Sequence, residues 1–340
     1  MTGLVKSLAP SIWSEIQSAQ KILFCCHPSP DPDSIGSNLA FSLALEAIGK
    51  QTTVLAGDSE LPKSVSHLPG VDRIVPRNFL QADLSQYDLF IALDASGLEQ
   101  ITKEGPINFP SSLSVVVIDH HHTNNSFGRV NLVDTAYISV GEIVYDLFSL
   151  WNIPTTSDIA ANLYLAMYTD SGGFKYEKTT PATYEIASKL IKIYPDFSQL
   201  VFKYENQNDP ERIYYEGLAL TSVKLFFNNQ VAISLIEYPQ LNKLGIRKVH
   251  TDKSEIANAL KSVIGWQIGI SFVEKVPRIV SLSFRTRDPV NFDVCRIAQA
   301  TKFGGGHPAA AGATLKMPFD EALKYLLDTI ASVYPQLGTP

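Results

Sequence analysis

A short apolar run at residues 21–26 is followed at once by a loop that holds two aspartates and a histidine, and then by a helical pattern at 34–48. The run has the length of a buried strand, and Gly49 is typical of a residue that ends a helix. A strand, a polar loop and a helix in this order constrain the chain to an α/β fold, in which ligands bind at the carboxyl ends of the strands. The loop from His27 to Asp33 is therefore predicted to lie at a binding edge.

His27, Asp31 and Asp33 are the side chains of this loop that suit a metal ion. Two carboxylates one residue apart repel each other unless a cation lies between them, and the imidazole adds a nitrogen ligand. Such an oxygen-rich set favours Mn²⁺, Mg²⁺ or Fe²⁺ over a thiolate zinc site. The loop is equally consistent with a solvated turn in which Asp33 or Ser34 caps the helix, and by itself it leaves both interpretations open.

Two further strands and one helix are also followed by residue types that bind metals. The strands are predicted at 88–93 and 114–118, and the helix at 157–168 with Ser157 as its N-cap. Each case alone is consistent with an ordinary turn, because Asp is common there. Four elements that end in this way favour one shared site. The added candidates are Asp94, Asp119, His120, His121, His122 and Asp170.

These segments and a glycine-rich run near the C-terminus resemble the motifs of a known family. The first four are similar, in order, to the motifs of the DHH phosphoesterase superfamily, and the last is similar to the motif of the accessory DHHA1 domain. The five motifs span nearly the whole chain and resemble those of the NrnA-type bifunctional oligoribonucleases and pAp phosphatases. The segments begin at His27, Asp94, Asp119 and Thr169, and the glycine-rich run covers residues 303–312.

The resemblance implies a site for two divalent metal ions, with Mn²⁺ expected first and Mg²⁺ or Fe²⁺ as alternatives. Asp94 would bridge the two ions, and a water between them would attack phosphorus in line. The implied ligands of one ion are His27, Asp31 and Asp94, and those of the other are Asp33, Asp94, His120 and Asp170.

The run that begins at Asp119 supplies the rest of the implied catalytic set, together with Asp94 and His120. By the resemblance, His121 contacts the scissile phosphate. Asp119 is expected to orient a neighbouring histidine and so to fix its tautomer. The chain departs from the family pattern at His122, which we expect to be exposed, and at a doubled glycine after Asp170.

The glycine-rich run is expected to bind substrate. Gly304, Gly305 and Gly306 let backbone amides approach an anion, and His307 can add a ring donor. The alternative is a flexible turn that leads into the next strand. The resemblance favours binding and implies that Arg285 grips a phosphate of the substrate, for which its fork geometry is suited.

We predict an α/β chain with a mainly parallel sheet flanked by helices, a helical linker, and a smaller α/β domain with a mixed sheet. The predicted bounds are 1–185 for the DHH catalytic domain, 186–222 for the linker and 223–340 for the DHHA1 domain. Within the last domain the patterns predict a hairpin at 223–235, a capped helix at 252–263, strands at 266–273 and 278–284, and a final helix at 318–333.

The formal net charge of −6 gives no sign of the broad basic track that long nucleic acids need, whereas short substrates need only a few cations. Three cysteines fit a reducing cytoplasm, and no apolar run approaches the roughly 18 residues that span a membrane. We therefore expect a cytoplasmic protein that binds short oligonucleotides or phosphorylated nucleotides. A homodimer is expected on base rates.

The function predicted is metal-dependent hydrolysis of short 5′-phosphorylated oligonucleotides, in either direction, and of 3′-phosphoadenosine 5′-phosphate (pAp). A phosphodiesterase for cyclic di-AMP or pApA is the nearest alternative. A family II pyrophosphatase lacks support because its Ser-Arg-Lys signature is absent, and a RecJ-type exonuclease would usually bring further domains. A non-enzymatic nucleotide sensor would lack one of the metal-binding residues, whereas all six of the implied metal-binding positions hold a suitable residue here.

Overall fold

The computed structural model describes residues 1–207, 209–247 and 254–339. The chain divides into two compact units, Met1–Gln207 and Asn208–Pro340. The helices predicted as a linker at 186–222 fall partly in each unit. Among the described residues, no helix is both long enough and apolar enough to cross a membrane.

The first unit is built on a five-stranded parallel sheet with the strand order β2-β1-β3-β4-β5. The three strands predicted to precede the candidate residues, β1, β3 and β4, are therefore adjacent in the sheet, and their carboxyl ends meet at one edge. The strands are β1 (Lys21–Cys25), β2 (Gln51–Leu55), β3 (Leu89–Leu93), β4 (Ser114–Asp119) and β5 (Val130–Val133). The helices are α1 (Gly3–Ser18), α2 (Pro32–Ala47), α3 (Val140–Trp151), α4 (Ser157–Asp170), α5 (Pro181–Ile193) and α6 (Phe197–Glu205).

The sheet of the first unit is buried on both faces, which explains why its strands read as continuous apolar runs. Alternate residues of one strand enter different cores because successive side chains point to opposite faces. Ile91 of β3 belongs to the larger core, in which the helices pack, and its neighbour Phe90 packs with Phe79 on the other face. Burial on both sides fixes the register of the strands and thereby the position of the loops that follow them.

The caps of two helices differ from the predictions. Helix α2 begins at Pro32, and its N-cap is Asp31, whose side chain accepts a hydrogen bond from the amide of Ser34. The prediction of Asp33 or Ser34 as the cap was wrong, because proline has the φ that the first helical position requires. Helix α4 is capped by Thr156 rather than Ser157 and continues to Asp170.

The second unit carries a six-stranded mixed sheet with the order β10-β11-β9-β8-β7-β6, in which β7 and β8 are parallel and the other neighbours antiparallel. The strands are β6 (Val223–Phe226), β7 (Val231–Ile236), β8 (Ile268–Val276), β9 (Ile279–Thr286), β10 (Gly304–His307) and β11 (Ala310–Leu315). The helices are α7 (Pro210–Thr221), α8 (Tyr238–Lys243), α9 (Ser254–Lys261), α10 (Val294–Ala300) and α11 (Phe319–Val333).

The predicted fold class, a parallel sheet with flanking helices followed by an α/β unit with a mixed sheet, is confirmed. The glycine-rich run is an edge strand, so the alternative of a flexible turn was wrong. Of the helix predicted at 252–263, the described part runs over Ser254–Lys261, and its predicted start lies outside the described residues.

Candidate metal centre

The first group of ligand atoms comes from the loop after β1 and the residue after β3. The Nε2 atom of His27 lies 3.4 Å from Oδ2 of Asp31 and 3.8 Å from Oδ2 of Asp94. One ligand atom from each of the three residues lies within 4.8 Å of the others. The residues predicted for one metal ion are thus brought together.

The second group is centred on His120, which follows β4. Its Nε2 atom lies 3.4 Å from Oδ2 of Asp170, 3.6 Å from Oδ1 of Asp94 and 3.9 Å from Oδ2 of Asp33. The two oxygens of Asp94 therefore approach different groups, since Oδ2 lies by His27 and Oδ1 by His120. This is the arrangement that a carboxylate bridging two ions requires.

Two atoms at the middle of the site are buried and have no hydrogen-bond partner among the described residues. They are Oδ1 of Asp94 and Nε2 of His120, and both belong to residues predicted to bind metal. A buried polar atom without a partner costs free energy that a bound cation would offset. The donor set of carboxylates and imidazoles fits hard or borderline divalent ions such as Mn²⁺ and Mg²⁺.

The electrostatics of the site also favour a cation. Burial, together with the nearby carboxylate of Asp33, raises the pKa of Asp94 well above its ordinary value. Burial and the carboxylates of Asp33 and Asp94 raise the pKa of Asp170 to about 9. Carboxylates held this close cannot all be ionised without compensating positive charge. The acidic cluster is a metal-binding site by geometry and by charge.

Asp33 is held by contacts that the sequence analysis missed. The amides of Val140 and Gly141, at the start of α3, donate to its two oxygens at 2.8 and 3.0 Å, and the Ser37 hydroxyl donates at 3.0 Å. The positive end of the α3 dipole stabilises a carboxylate at this position. Ser139 is a recognisable N-cap, but nothing in the sequence connects it with a residue more than a hundred positions earlier.

Asp119 is fully buried, and its carboxylate contacts the ring of His121, the geometry that an orienting role would require. Its Oδ1 atom lies 2.8 Å from Nδ1 of His121 and accepts from the amide of His120. Asn124, which the sequence analysis missed, donates to Oδ2 at 2.7 Å and to the carbonyl of Ala95 at 3.0 Å. Burial opposes ionisation, yet these hydrogen bonds hold the pKa of Asp119 below its ordinary value.

The remaining histidine of the run, His122, is exposed, as expected. It belongs to none of the ligand groups formed by the described residues. The exposed fraction of the His121 side chain is 47%, so one side of its ring is open to a ligand while Nδ1 contacts Asp119.

The predicted substrate-binding residues lie on neighbouring strands of the second unit. Arg285 on β9 is half-buried and donates through Nη1 to the Ser283 hydroxyl and the Phe284 carbonyl at 3.2 and 2.9 Å. Its register partner on β11 is Ala310, which in turn pairs with His307 on β10. Arg285 and His307 thus belong to one row across the sheet.

The three glycines of β10 differ in what they allow. At Gly304 and Gly306 a Cβ atom would collide with the backbone of β11, so the close pairing of the strands requires glycine there. At Gly305 a Cβ atom would meet open space. The pairing of the strands therefore does not require glycine at Gly305, which is half-buried whereas Gly304 and Gly306 are exposed.

Comparison with known families agrees with this geometry. Residues 21–169 match the model of the DHH family N-terminal domain, and residues 241–334 match the model of the DHHA1 domain. The chain therefore carries a DHH family N-terminal domain, followed by a DHHA1 domain. The predicted family and the predicted class of enzyme are confirmed.

Two curated relatives are similar to the chain over almost their full lengths, and both are named bifunctional oligoribonuclease and PAP phosphatase NrnA. The protein from Thermus thermophilus is 25% identical, over 97% of each chain. The protein from Bacillus subtilis is 28% identical, over 89% of this chain and 91% of the relative. The crystal structure of an exopolyphosphatase-related protein from Bacteroides fragilis has the same fold, with a TM-score of 0.86, 24% identity and 98% of each chain covered.

Proposed function

We propose that the chain hydrolyses short 5′-phosphorylated oligonucleotides and pAp. The observation that carries the proposal is Asp94, whose two oxygens approach two separate groups of ligand atoms. The names of the Thermus thermophilus and Bacillus subtilis relatives support these substrates. The net charge of −6 supports short substrates over long ones, since it supplies no basic track.

The ligand groups fit two divalent ions, for which Mn²⁺ is the first candidate. His27 and Asp31 would hold one ion, Asp33, His120 and Asp170 the other, and Asp94 both. Such ions supply an activated water nucleophile and offset negative charge on the phosphoryl oxygens.

Other residues of the chain hold the metal-binding and phosphate-contacting side chains in position. The amides at the start of α3 fix Asp33, and Asp119 fixes the ring of His121. With Nδ1 directed at Asp119, the opposite nitrogen of His121 can donate to a phosphate oxygen of the substrate. Arg285, His307 and the backbone at Gly305 would bind a part of the substrate that does not react.

A substrate panel with Mn²⁺ tests the proposal. It contains pAp, 5′-phosphorylated dinucleotides, pApA, cyclic di-AMP, pyrophosphate and a long single strand, and initial rates are measured for each. We expect the highest kcat/KM on pAp and the dinucleotides. A preference for cyclic di-AMP would favour the phosphodiesterase alternative, and hydrolysis of pyrophosphate alone would overturn the proposal.

Arg285→Ala is expected to raise KM for pAp and pApA by roughly 10-fold to 100-fold, which corresponds to the loss of a charge-assisted hydrogen bond. Hydrolysis of a small generic phosphodiester, bis(p-nitrophenyl) phosphate, should be nearly unchanged. The matched control is Arg278→Ala, because Arg278 lies in the turn at the opposite end of β9. An equal loss on the generic ester and on pAp would contradict a pure binding role for Arg285.

We also propose that the protein is a cytoplasmic homodimer, on the cysteine usage and on base rates. Light scattering after size-exclusion chromatography would then give about twice the 37.4 kDa of one chain.

A further inference from the structure

The turn after Asp170 has an uncommon backbone. Gly172, Gly173 and Phe174 are three successive residues with positive φ, at 58°, 69° and 63°. Phe174 is not a glycine, so its conformation carries strain that the surrounding structure must stabilise. The amides of Lys175 and Tyr176 both donate to the carbonyl of Ser171, at 2.9 and 3.0 Å. The chain therefore reverses and brings residue 176 back onto the start of the turn.

The ring of Tyr176 lies directly on Gly172. A Cβ atom at Gly172 would meet ring atoms of Tyr176, of which Cε1 and Cζ are the nearest, so the ring lies closely on this glycine, whose positive φ separately favours glycine. The exposed fraction of Tyr176 is nevertheless 61%. One side of the ring is thus supported by backbone, and much of the rest is open to solvent.

The turn that carries this ring is braced. The Tyr184 hydroxyl donates to the carbonyl of Phe174 at 2.9 Å, and the rings of the two residues lie 5.6 Å apart. The Phe174 ring also packs on Tyr168 of α4 at 6.0 Å. An exposed aromatic ring on a braced turn loses little conformational entropy when it binds a ligand.

The ring lies on the turn that directly follows a candidate metal ligand, Asp170. Gly172, which supports it, is two residues beyond Asp170, and Oδ2 of Asp170 lies 3.4 Å from Nε2 of His120. Two residues of backbone span at most about 7 Å between Cα atoms, which is within the length of one nucleotide. The ring is therefore carried by the same short segment that supplies Asp170 to the ligand groups.

We propose that Tyr176 is a specificity-determining residue whose exposed ring stacks on a nucleobase of the substrate. The inference rests on the proposed function, because it requires a nucleotide substrate. Stacking on an aromatic ring is tolerant of base identity, since every base has a π-face. Stacking would add affinity for nucleotides to a protein that has no basic track. It would also discriminate against phosphate compounds that lack a base.

The test compares Tyr176→Phe and Tyr176→Leu on two substrates, pApA and the same compound without its bases. Phenylalanine keeps the ring, whereas leucine keeps apolar bulk on Gly172 but has no π-face. We expect Tyr176→Phe to behave like the wild type. Tyr176→Leu should raise KM for pApA by roughly 10-fold, as expected for the loss of one stacked base. Its kcat, and its kinetics on the base-free compound, should be unchanged.

Tyr214→Leu is the matched control, because Tyr214 is similarly exposed, at 58%, but lies on α7 in the second unit. The stacking proposal is overturned if Tyr176→Leu leaves KM for pApA unchanged, if it impairs both substrates equally, or if Tyr176→Phe is as impaired as Tyr176→Leu. A wild-type protein that hydrolyses neither pApA nor pAp would instead overturn the proposed function, and stacking on its substrate with it.

Discussion

Asp94→Ala should abolish hydrolysis of pAp and pApA, with a fall in kcat of at least about 1,000-fold. Asp94 is the residue that both ligand groups share, through different oxygens. Its removal would weaken the binding of both ions, whereas the removal of Asp31 or Asp170 would affect one. Steady-state kinetics with Mn²⁺, and the metal content after gel filtration, measure the two effects.

The backbone of Asp94 calls for a second variant. Its φ is 57°, a conformation that Asn tolerates and that is less favourable for Ala. Asp94→Asn keeps the shape and the backbone preference while it removes the charge, so a comparable loss of activity in both variants assigns the effect to the carboxylate. Asp83→Ala, at an exposed aspartate that caps a short 3₁₀ turn, is the control. Near-normal hydrolysis by Asp94→Ala with added Mn²⁺ would contradict the two-metal mechanism.

The strands, and the candidate residues that follow them, could be predicted because a buried parallel strand appears in the sequence as a short apolar run. Residues 88–93 and 114–118 are mostly apolar and are followed by Asp94 and by Asp119 and His120. In the sheet, β3 lies next to β1 and β4 lies next to β3. Adjacent parallel strands end at the same edge, so the candidate residues converge without further information. The convergence of His27, Asp94 and His120 follows from this topology.

Contacts between segments that are far apart in the chain could not be predicted from the sequence patterns. The amides that hold Asp33 belong to α3, and an amide donor has no sequence signature of its own. Asn124 reads as an ordinary turn residue until its contact with Asp119 is known. The ring of Tyr176 lies on Gly172 only because three residues adopt positive φ, and the third is a phenylalanine, for which the pattern predicts no such conformation.

The stability of the metal-free protein should fall as the pH rises from about 4 towards 9. Burial and like charges raise the pKa of Asp94, and that of Asp170 to about 9, whereas in the unfolded chain both carboxyls have ordinary values. At a pH between the unfolded-state and the folded-state pKa values of these carboxyls, the folded state binds more protons than the unfolded state. Folding therefore becomes less favourable as the pH rises. The slope is up to about 1.4 kcal/mol per pH unit for each such carboxyl.

Urea unfolding of the metal-free protein at pH 5 to 8 measures this slope in the free energy of unfolding. Tryptophan fluorescence is a suitable probe, because Trp13 and Trp151 stack at 5.1 Å in the unit that contains the site. Asp94→Asn should have a shallower slope than the wild type, since it lacks one of the carboxyls whose pKa is raised in the folded state. Asp83→Ala should keep the wild-type slope.

Saturating Mn²⁺ should remove the slope, because bound ions keep Asp94 and Asp170 ionised in the folded state. The gain in stability on adding Mn²⁺ is therefore expected to be larger at pH 8 than at pH 5, and metal binding at pH 7 should release about one to two protons. Calorimetric titration in buffers of different ionisation enthalpy counts those protons. Two results together would contradict this account: a metal-free free energy of unfolding that does not vary with pH, and Mn²⁺ binding that releases no protons. They would show that Asp94 and Asp170 are already ionised in the metal-free protein, so that Mn²⁺ does not bind by relieving repulsion between carboxylates.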